Sequence, residues 1–350
     1  MIALLAAVAL IQGGHQSTAA QLMDAGHFKR ARPLVEAALR ANPNDAAALN
    51  LASQLAALQN NLDSARALAE RAVKADPASA DHHYQLGSVA GRQAQRASIF
   101  KQPGLAGKFK GEMNEALKRD SLHVDARYSL IQFYLEAPGI VGGDKKKARA
   151  MAEDLVRTNP SRGYRALLDV TIAEKDTTHR AELLGKAVAA DSNDYAARMD
   201  WAGFVLGRDS SRSPAAERES RNIVAHFPDR SGGYLLLAIV LATQQRWSDL
   251  DSLLALAEHR LPDNLSPYYH AGRILQTKAD SLERAERYLR HYLSQEPEGG
   301  APGLGAAHWR LGLVLEKRGQ KAEAIREIEQ ALKLQPQLEP AKKDLKRLKG

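Results

Sequence analysis

The chain has 350 residues with 44% hydrophobic and only 5% aromatic side chains, and its abundant alanine and leucine favour helix over strand, so we expect an all-α protein. Lysine and arginine exceed aspartate and glutamate by eight, a modest excess that favours contact with anionic surfaces. The sequence contains no cysteine, which excludes disulfides and cysteine-ligated zinc sites.

The N-terminal segment carries the longest apolar run of the sequence. Residues 1–11 are uninterruptedly apolar, too few to span a bilayer as a helix but typical of a signal-peptide hydrophobic region. Gly13 and Gly14 supply small residues for cleavage, although no basic residue precedes Lys29. We therefore predict a signal peptide at 1–14 and an exported, periplasmic protein. The alternative is a buried first helix, in which case the protein is cytoplasmic.

From residue 15 to residue 336 a helix–turn–helix pattern with a period of about 34 residues recurs. Unit one is marked by Gly26, Phe28, Ala31, Ala38 and Pro43, and unit two by Ala65, Ala72 and Pro77. The closing prolines predict helix ends, because proline cannot continue a helix and restricts the residue before it.

Units three and four, residues 80–122 and 123–160, are longer than this period. In unit three the second helix arrives about ten residues late, which predicts a longer first helix and a turn at Pro103 and Gly104 before the second. In unit four, residues 137–144 form an enlarged loop between the helices.

Units five and six keep the spacing weakly, whereas units seven to nine are more regular. The best-formed unit is the ninth, residues 305–336, whose packing positions are Leu311, Gly312, Leu315, Gly319, Ala324, Ala331 and Pro336. Residues 337–350 are polar and rich in lysine, as expected for a helix that caps the open end of a stack of repeats.

With these positions the chain resembles the tetratricopeptide-repeat family over nearly its whole length. Its expanded units, with QPGLAGK and EAPGIVGGDKKKA, are similar to an arrangement in some bacterial exported members. The resemblance implies an α-solenoid, a right-handed superhelix of about nine helix pairs plus a C-terminal capping helix. It also implies a concave face that binds peptides or proteins, and no shared chemistry.

The family's pattern places the residues between the packing positions of each first helix on that concave face. Here these residues are Asn50, Gln54, Tyr84, Arg92, Tyr128, Gln132, Arg162, Arg165, Tyr269, Arg273 and Trp309. Tyrosine, tryptophan and arginine often carry interface energy, and asparagine and glutamine bond to extended backbones. We therefore expect a non-catalytic scaffold that binds an extended peptide or protein partner in this groove.

A basic stretch across the expanded units supports an alternative function. Its members are Arg96, Lys101, Lys108, Lys110, Lys145, Lys146 and Lys147. On one edge of the stack they would suit an anionic membrane surface or polymer, although such runs are more often solvated helix faces. Nucleic acid is not expected, because Phe100 and Phe109 are the only aromatic residues within 92–119 and 145–149, where these basic residues lie, fewer than nucleic-acid binding would require.

No motif for catalysis, cofactor binding or metal binding is complete. Residues 98–101 have Ser-x-x-Lys spacing without the companion motifs of penicillin-recognising enzymes. Residues 139–145 are rich in glycine but lack the ending of a phosphate-binding loop. His82 and His83 would point about 100° apart on a helix. We expect no enzyme activity, no cofactor and no metal; the sequence leaves the oligomeric state open.

Overall fold

The computed structural model describes residues 18–208, 214–279 and 281–350. Over these residues the chain forms nineteen α-helices, one 3-10 helix and no strand. Consecutive helices associate into nine pairs, which correspond to the nine predicted units, and the last helix follows them. The predicted signal peptide at 1–14 lies outside the described residues.

The first five units have the following helices. They are α1 (Ala19–Ala25) and α2 (Phe28–Ala41), α3 (Ala46–Leu58) and α4 (Leu62–Ala75), α5 (Ala80–Arg96) and α6 (Gln102–Arg119), α7 (Val124–Glu136), a 3-10 helix (Gly139–Val141) and α8 (Lys145–Thr158), then α9 (Pro160–Ala173) and α10 (Arg180–Ala190).

The remaining helices complete the stack. They are α11 (Tyr195–Arg208) and α12 (Pro214–His226), α13 (Ser231–Thr243) and α14 (Trp247–Arg260), α15 (Ser266–Lys278) and α16 (Leu282–Tyr292), α17 (Leu304–Lys317) and α18 (Lys321–Leu334), and the terminal α19 (Glu339–Lys349). Ala341 and Leu348 of α19 are buried against the core of the last units, so α19 covers the end of the stack.

Short polar side chains start many of these helices. Asp45, Asn61, Asp144 and Asn159 each accept a hydrogen bond from a backbone N–H in the first turn of the helix that follows. Such a cap satisfies a donor that has no partner inside the helix. The Asn and Asp residues of the turns therefore set where the helices begin.

The turn inside a regular unit is compact. It contains one residue with positive φ just after the first helix; these residues are Gly26, Asn60, Lys175, Gln245 and Gly319. This left-handed residue ends the helix and redirects the chain. In units three and four the first helix instead ends on an extended residue, Ala97 or Ala137, and a longer turn follows.

The extra residues of unit three lengthen both of its helices. Helix α5 has 17 residues and α6 has 18, against 13 and 14 for α3 and α4. The prediction of a turn at Pro103 and Gly104 is wrong, because both residues lie in the first turn of α6. Proline is tolerated there, since its missing N–H would have no partner inside the helix.

The stack curves back until unit one touches the turns that border unit eight. The Lys29 backbone N–H donates to Glu298 Oε1 at 3.1 Å, and Lys29 Nζ donates to the Asp263 carbonyl oxygen at 3.0 Å. Arg30 Nε donates to Asp263 Oδ2 at 3.2 Å, and Phe28 lies against Gly299. We call this long-range contact the closure contact.

Candidate functional site

Two cavities lie against the first helices of units one to four. Cavity one has a volume of about 780 Å³ and is bordered by α1, α3 and α5. Cavity two has a volume of about 520 Å³ and is bordered by α5, α6, α7 and the 3-10 helix. Ser88 and Arg92 line both cavities, so the two join along α5 into one surface.

Cavity one presents an amide group without a partner. Asn50, Gln54 and Tyr84 all line it, as the sequence predicts for the groove. Asn50 is buried, and among the described residues no group hydrogen-bonds to its Oδ1. Beside it, Gln85 Nε2 donates to Ser53 Oγ at 2.9 Å, which in turn donates to the Ala65 carbonyl. The wall is thus held in place, and Asn50 Oδ1 is a buried acceptor that this network leaves without a partner.

The carboxylates around cavity one already have side-chain partners. Asp24 pairs with Arg230, Asp81 accepts from His123 at 3.0 Å, and Asp125 accepts from Arg162 at 3.0 Å.

Arg92, in contrast, is half-buried where the two cavities meet. Within the described part of the chain it has no carboxylate in ion-pair range. An unpaired, partly desolvated guanidinium favours a carboxylate ligand with bidentate geometry. Arg92 is therefore a charged group of this surface that a ligand can still satisfy; the exposed Glu136, which lines cavity two, also has no ion pair among the described residues.

Cavity two is mainly apolar. Phe109 and Phe133 pack with ring centroids 5.4 Å apart, and Ala106, Pro138 and Val141 contribute further apolar wall. Most of these residues come from the expanded parts of units three and four. The insertions therefore build a space suited to a large apolar side chain.

Further along the stack, the predicted groove residues bond to one another. Gln132 Nε2 donates to Asp169 Oδ2 at 2.6 Å, and the Tyr128 hydroxyl donates to the same oxygen. Burial and then the Asp169 charge hold the pKa of Tyr128 well above its usual value. The Arg162 guanidinium lies 4.1 Å from the Tyr128 ring centroid, and Arg165 Nε donates to Asp200 at 2.7 Å. The polar groups of this part of the groove therefore bond mainly to one another, although Arg162 Nε and Arg165 Nη1 are buried without a partner among the described residues.

Tyr128 and Gln132 line cavity two, whereas five predicted groove residues line neither cavity: Arg162 and Arg165 of α9, and Tyr269, Arg273 and Trp309 further along the stack. Tyr269 is only 6% exposed and packs with Tyr292 at 5.3 Å between centroids; it is a core residue, so its assignment to the groove is wrong. The side of α15 that carries Tyr269 packs against α16, and a large apolar group fills the space between the two helices. Trp309 Nε1 donates to Asp344 of α19 at 2.9 Å. Arg273 lies on α15 of unit eight and lines neither cavity.

The predicted basic stretch is only partly free of carboxylates. Lys108 is neutralised by Glu70 at 2.7 Å, which removes it from the predicted patch. Lys110 and Lys147 lie over the rings of Phe133 and Tyr134. Lys145 Nζ donates to a backbone carbonyl at 2.9 Å. The other members are Arg96, Lys101 and Lys146, which have no ion pair among the described residues.

Sequence reasoning missed the apolar part of the site. Phe109, Phe133 and Val141 appeared as ordinary helix or loop residues. A signal was present, because an insertion that carries phenylalanine and proline is unusual for a solvated loop. No metal-ligand cluster and no helix long and apolar enough to cross a bilayer occurs in the ranges that the structure covers.

Fold and site together define an α-solenoid of stacked helix pairs with two joined cavities along its first helices. Residues 19–90 and residues 305–338 each match the family described as tetratricopeptide repeat. The chain therefore carries tetratricopeptide repeats in both of these segments.

Several solved structures are similar to this chain. Yeast Tom70 is 15% identical with a TM-score of 0.52, over 95% of this chain and 80% of that one. A thermophilic tetratricopeptide-repeat protein of Thermus thermophilus is 17% identical with a TM-score of 0.47, over 54% and 95%. The APC/C hetero-tetramer Cut9–Hcn1 is 13% identical with a TM-score of 0.45, over 94% and 76%. At such identities the likeness to Tom70 shows the fold alone. No curated protein matches the chain.

Proposed function

We propose that this protein is a non-catalytic interaction scaffold that binds an extended peptide segment of a protein partner across cavities one and two. The single observation that carries the proposal is the half-buried, unpaired Arg92 at the junction of the two cavities, with the unpaired Asn50 Oδ1 in one of them. Export to the periplasm, proposed from residues 1–14, would set this groove among proteins of the cell envelope.

The groups around the junction suit three parts of such a peptide. Cavity one takes the peptide backbone, for which the amide of Gln54 in its wall can supply a hydrogen bond. Arg92 pairs with a carboxylate, either an acidic side chain or the C-terminus. Cavity two then takes a large apolar side chain next to that carboxylate, where burial of Phe or Leu stabilises the complex by about 2 kcal/mol. The preferred ligand is therefore a peptide with an acidic group beside a large apolar one.

Peptide selection with matched variants tests this proposal. A display library of random peptides is selected on the full chain, and the affinities of enriched peptides are measured by calorimetry. We expect Arg92→Ala to weaken binding by about tenfold or more, the usual cost of losing a charge-assisted hydrogen bond from a partly buried site.

Arg326→Ala is the matched control. Arg326 is exposed on α18 and, among the described residues, has no ion pair, so its removal should leave affinity unchanged. Enriched peptides that lack the acidic and apolar pair, or that bind Arg92→Ala as well as wild type, would contradict the proposal.

A further inference from the structure

The turns of units three and four form two tips at one edge of the solenoid. The turns inside the units of such a stack all lie at the same edge, because each joins a first helix to its second helix. Regular units close this turn with one left-handed residue. Units three and four instead project residues 97–101 and 137–144, which we call tip three and tip four.

Both tips are held by backbone hydrogen bonds. In tip three the Ser98 carbonyl accepts from Lys101 N at 2.8 Å and from Gln102 N at 3.2 Å. In tip four the Pro138 carbonyl accepts from Val141 N at 3.0 Å and from Gly143 N at 3.1 Å. The backbone therefore holds the two apices at the surface.

Large apolar side chains occupy these apices and face solvent. Ile99 is 74% exposed, Phe100 is 92% exposed and Ile140 is 96% exposed. Apart from Leu122, at 58%, the other exposed large apolar residues on the described surface, such as Leu256, are less than half exposed. Exposing three such groups on ordered turns is costly unless a partner covers them.

The two tips flank one opening. Gln102, next to tip three, and Val141 of tip four both line cavity two. Lys110 lies next to tip four, because its Nζ is 2.9 Å from the place where a Gly142 side chain would begin. The apolar apices and the nearby cations therefore belong to one surface.

The charge around the tips is predominantly positive. Arg96, Lys101 and Lys146 are exposed and make no ion pair in the described ranges, and Lys145 and Lys110 also have no carboxylate partner there. The nearby acids are Glu136 and Asp144, and Asp144 already accepts from the first turn of α8. A partner of this edge must accept apolar groups and supply anions around them.

We infer that this edge docks the protein on the surface of an anionic phospholipid bilayer. Ile99, Phe100 and Ile140 enter the interface between headgroups and acyl chains, and the surrounding lysines and arginines contact the lipid phosphates. Separate apolar apices on two tips match a soft, flat surface better than a shaped protein pocket. This inference goes beyond the peptide-binding proposal and is independent of Arg92.

Vesicle co-sedimentation of the full chain tests the inference. The probes are vesicles of phosphatidylcholine alone and of phosphatidylcholine mixed with phosphatidylglycerol. We expect binding only to the anionic vesicles. Phe100→Ser with Ile140→Ser should lower the partition coefficient by about tenfold or more through lost apolar burial. Lys101→Glu with Lys146→Glu should lower it by about tenfold or more, since each basic residue near an anionic surface contributes about 1 kcal/mol.

Two matched controls locate the effect. Leu256→Ser with Leu334→Ser removes partly exposed apolar groups from α14 and α18, and Lys343→Glu with Lys346→Glu makes the same charge change on α19. Both should bind vesicles as wild type does. Circular dichroism shows whether each variant keeps its helices.

Three results would overturn the inference. The first is that Phe100→Ser with Ile140→Ser binds vesicles as tightly as wild type, which would mean that charge attraction alone produces the binding. The second is equal loss in the α19 charge control, which would mean non-specific attraction to a basic protein. The third is that the tip variants change self-association in sedimentation velocity and leave vesicle binding intact, which would assign the tips to a second copy of this chain.

Discussion

At the scale of single residues, His270 shows how burial within the stack of units sets the protonation state of a side chain. It lies in α15, where among the described residues no group bonds to its Nδ1. Burial, helped by the nearby Arg273 charge, lowers the pKa of His270 to about 4. A histidine of an unfolded chain titrates at about 6.5, so the folded protein disfavours the imidazolium.

The sign of this shift predicts an acid-sensitive unit eight. Between about pH 6.5 and pH 4 the unfolded chain binds the proton and the folded chain does not, so stability is present above this window and is lost as pH falls through it. As pH falls through this window, the free energy of unfolding of the wild type should decrease by on the order of 2 kcal/mol more than that of His270→Gln. Thermal denaturation of both proteins at the two ends of the window measures this difference. Parallel pH profiles would show that His270 is not the source.

At the scale of elements, the turn of unit four depends on two successive glycines. Gly142 has φ of 102°, which side chains rarely adopt. A Cβ at Gly143 would lie 1.8 Å from the Ala137 carbonyl oxygen, a backbone atom that cannot move without displacing the end of α7. The long turn therefore has a specific backbone shape that does not tolerate a side chain at residues 142 and 143.

Gly143→Ala should accordingly damage the turn. We expect a loss of about 2 kcal/mol or more in stability and a displaced Ile140, measured by thermal denaturation and by vesicle binding. Gly139→Ala is the control, because a Cβ at Gly139 meets no atom within 4 Å. Equal melting temperatures for the two variants would mean that the backbone at residue 143 is free to relax.

At the scale of the whole molecule, the closure contact joins parts of the chain that are more than 230 residues apart. Burial raises the pKa of the Asp263 carboxyl, but the neighbouring His27 and Arg30 outweigh it and hold this pKa below its usual range. Most contacts in a stack of repeats are between neighbouring units. A contact between unit one and the turns bordering unit eight therefore limits how far the superhelix can open.

Asp263→Ala should release this restraint. Because the chain has no cysteine, cysteines introduced at the exposed Arg40 and Arg260 can be labelled as a fluorescent pair. We expect lower energy transfer in Asp263→Ala, as unit one moves away from the α14–α15 turn. Asp120→Ala is the control, since Asp120 also lies in a turn between units and accepts only from Leu122 N in its own turn. Unchanged energy transfer in Asp263→Ala would show that stacking alone sets the curvature.

The sequence by itself determined the all-α solenoid and its nine helix pairs. Helix packing within one unit uses residues close in sequence, so the spacing of alanine, glycine and proline records it directly. For the same reason the two expanded units could be located from their lengths alone. Asn50, Tyr84 and Arg92, which the resemblance to the family placed on the concave face, line one cavity.

Only the tertiary structure decided which of these side chains remain available. Lys108 is neutralised by Glu70, and Tyr269 turns into the core. Arg92 stays unpaired where the insertions have built an apolar cavity. Each outcome depends on a distance between different helices or units, which is set by how the units stack and curve. A repeating pattern predicts how each unit packs, because its packing positions recur at a fixed spacing. The partners of a charged or aromatic side chain lie at positions outside this pattern, so the spacing does not predict them.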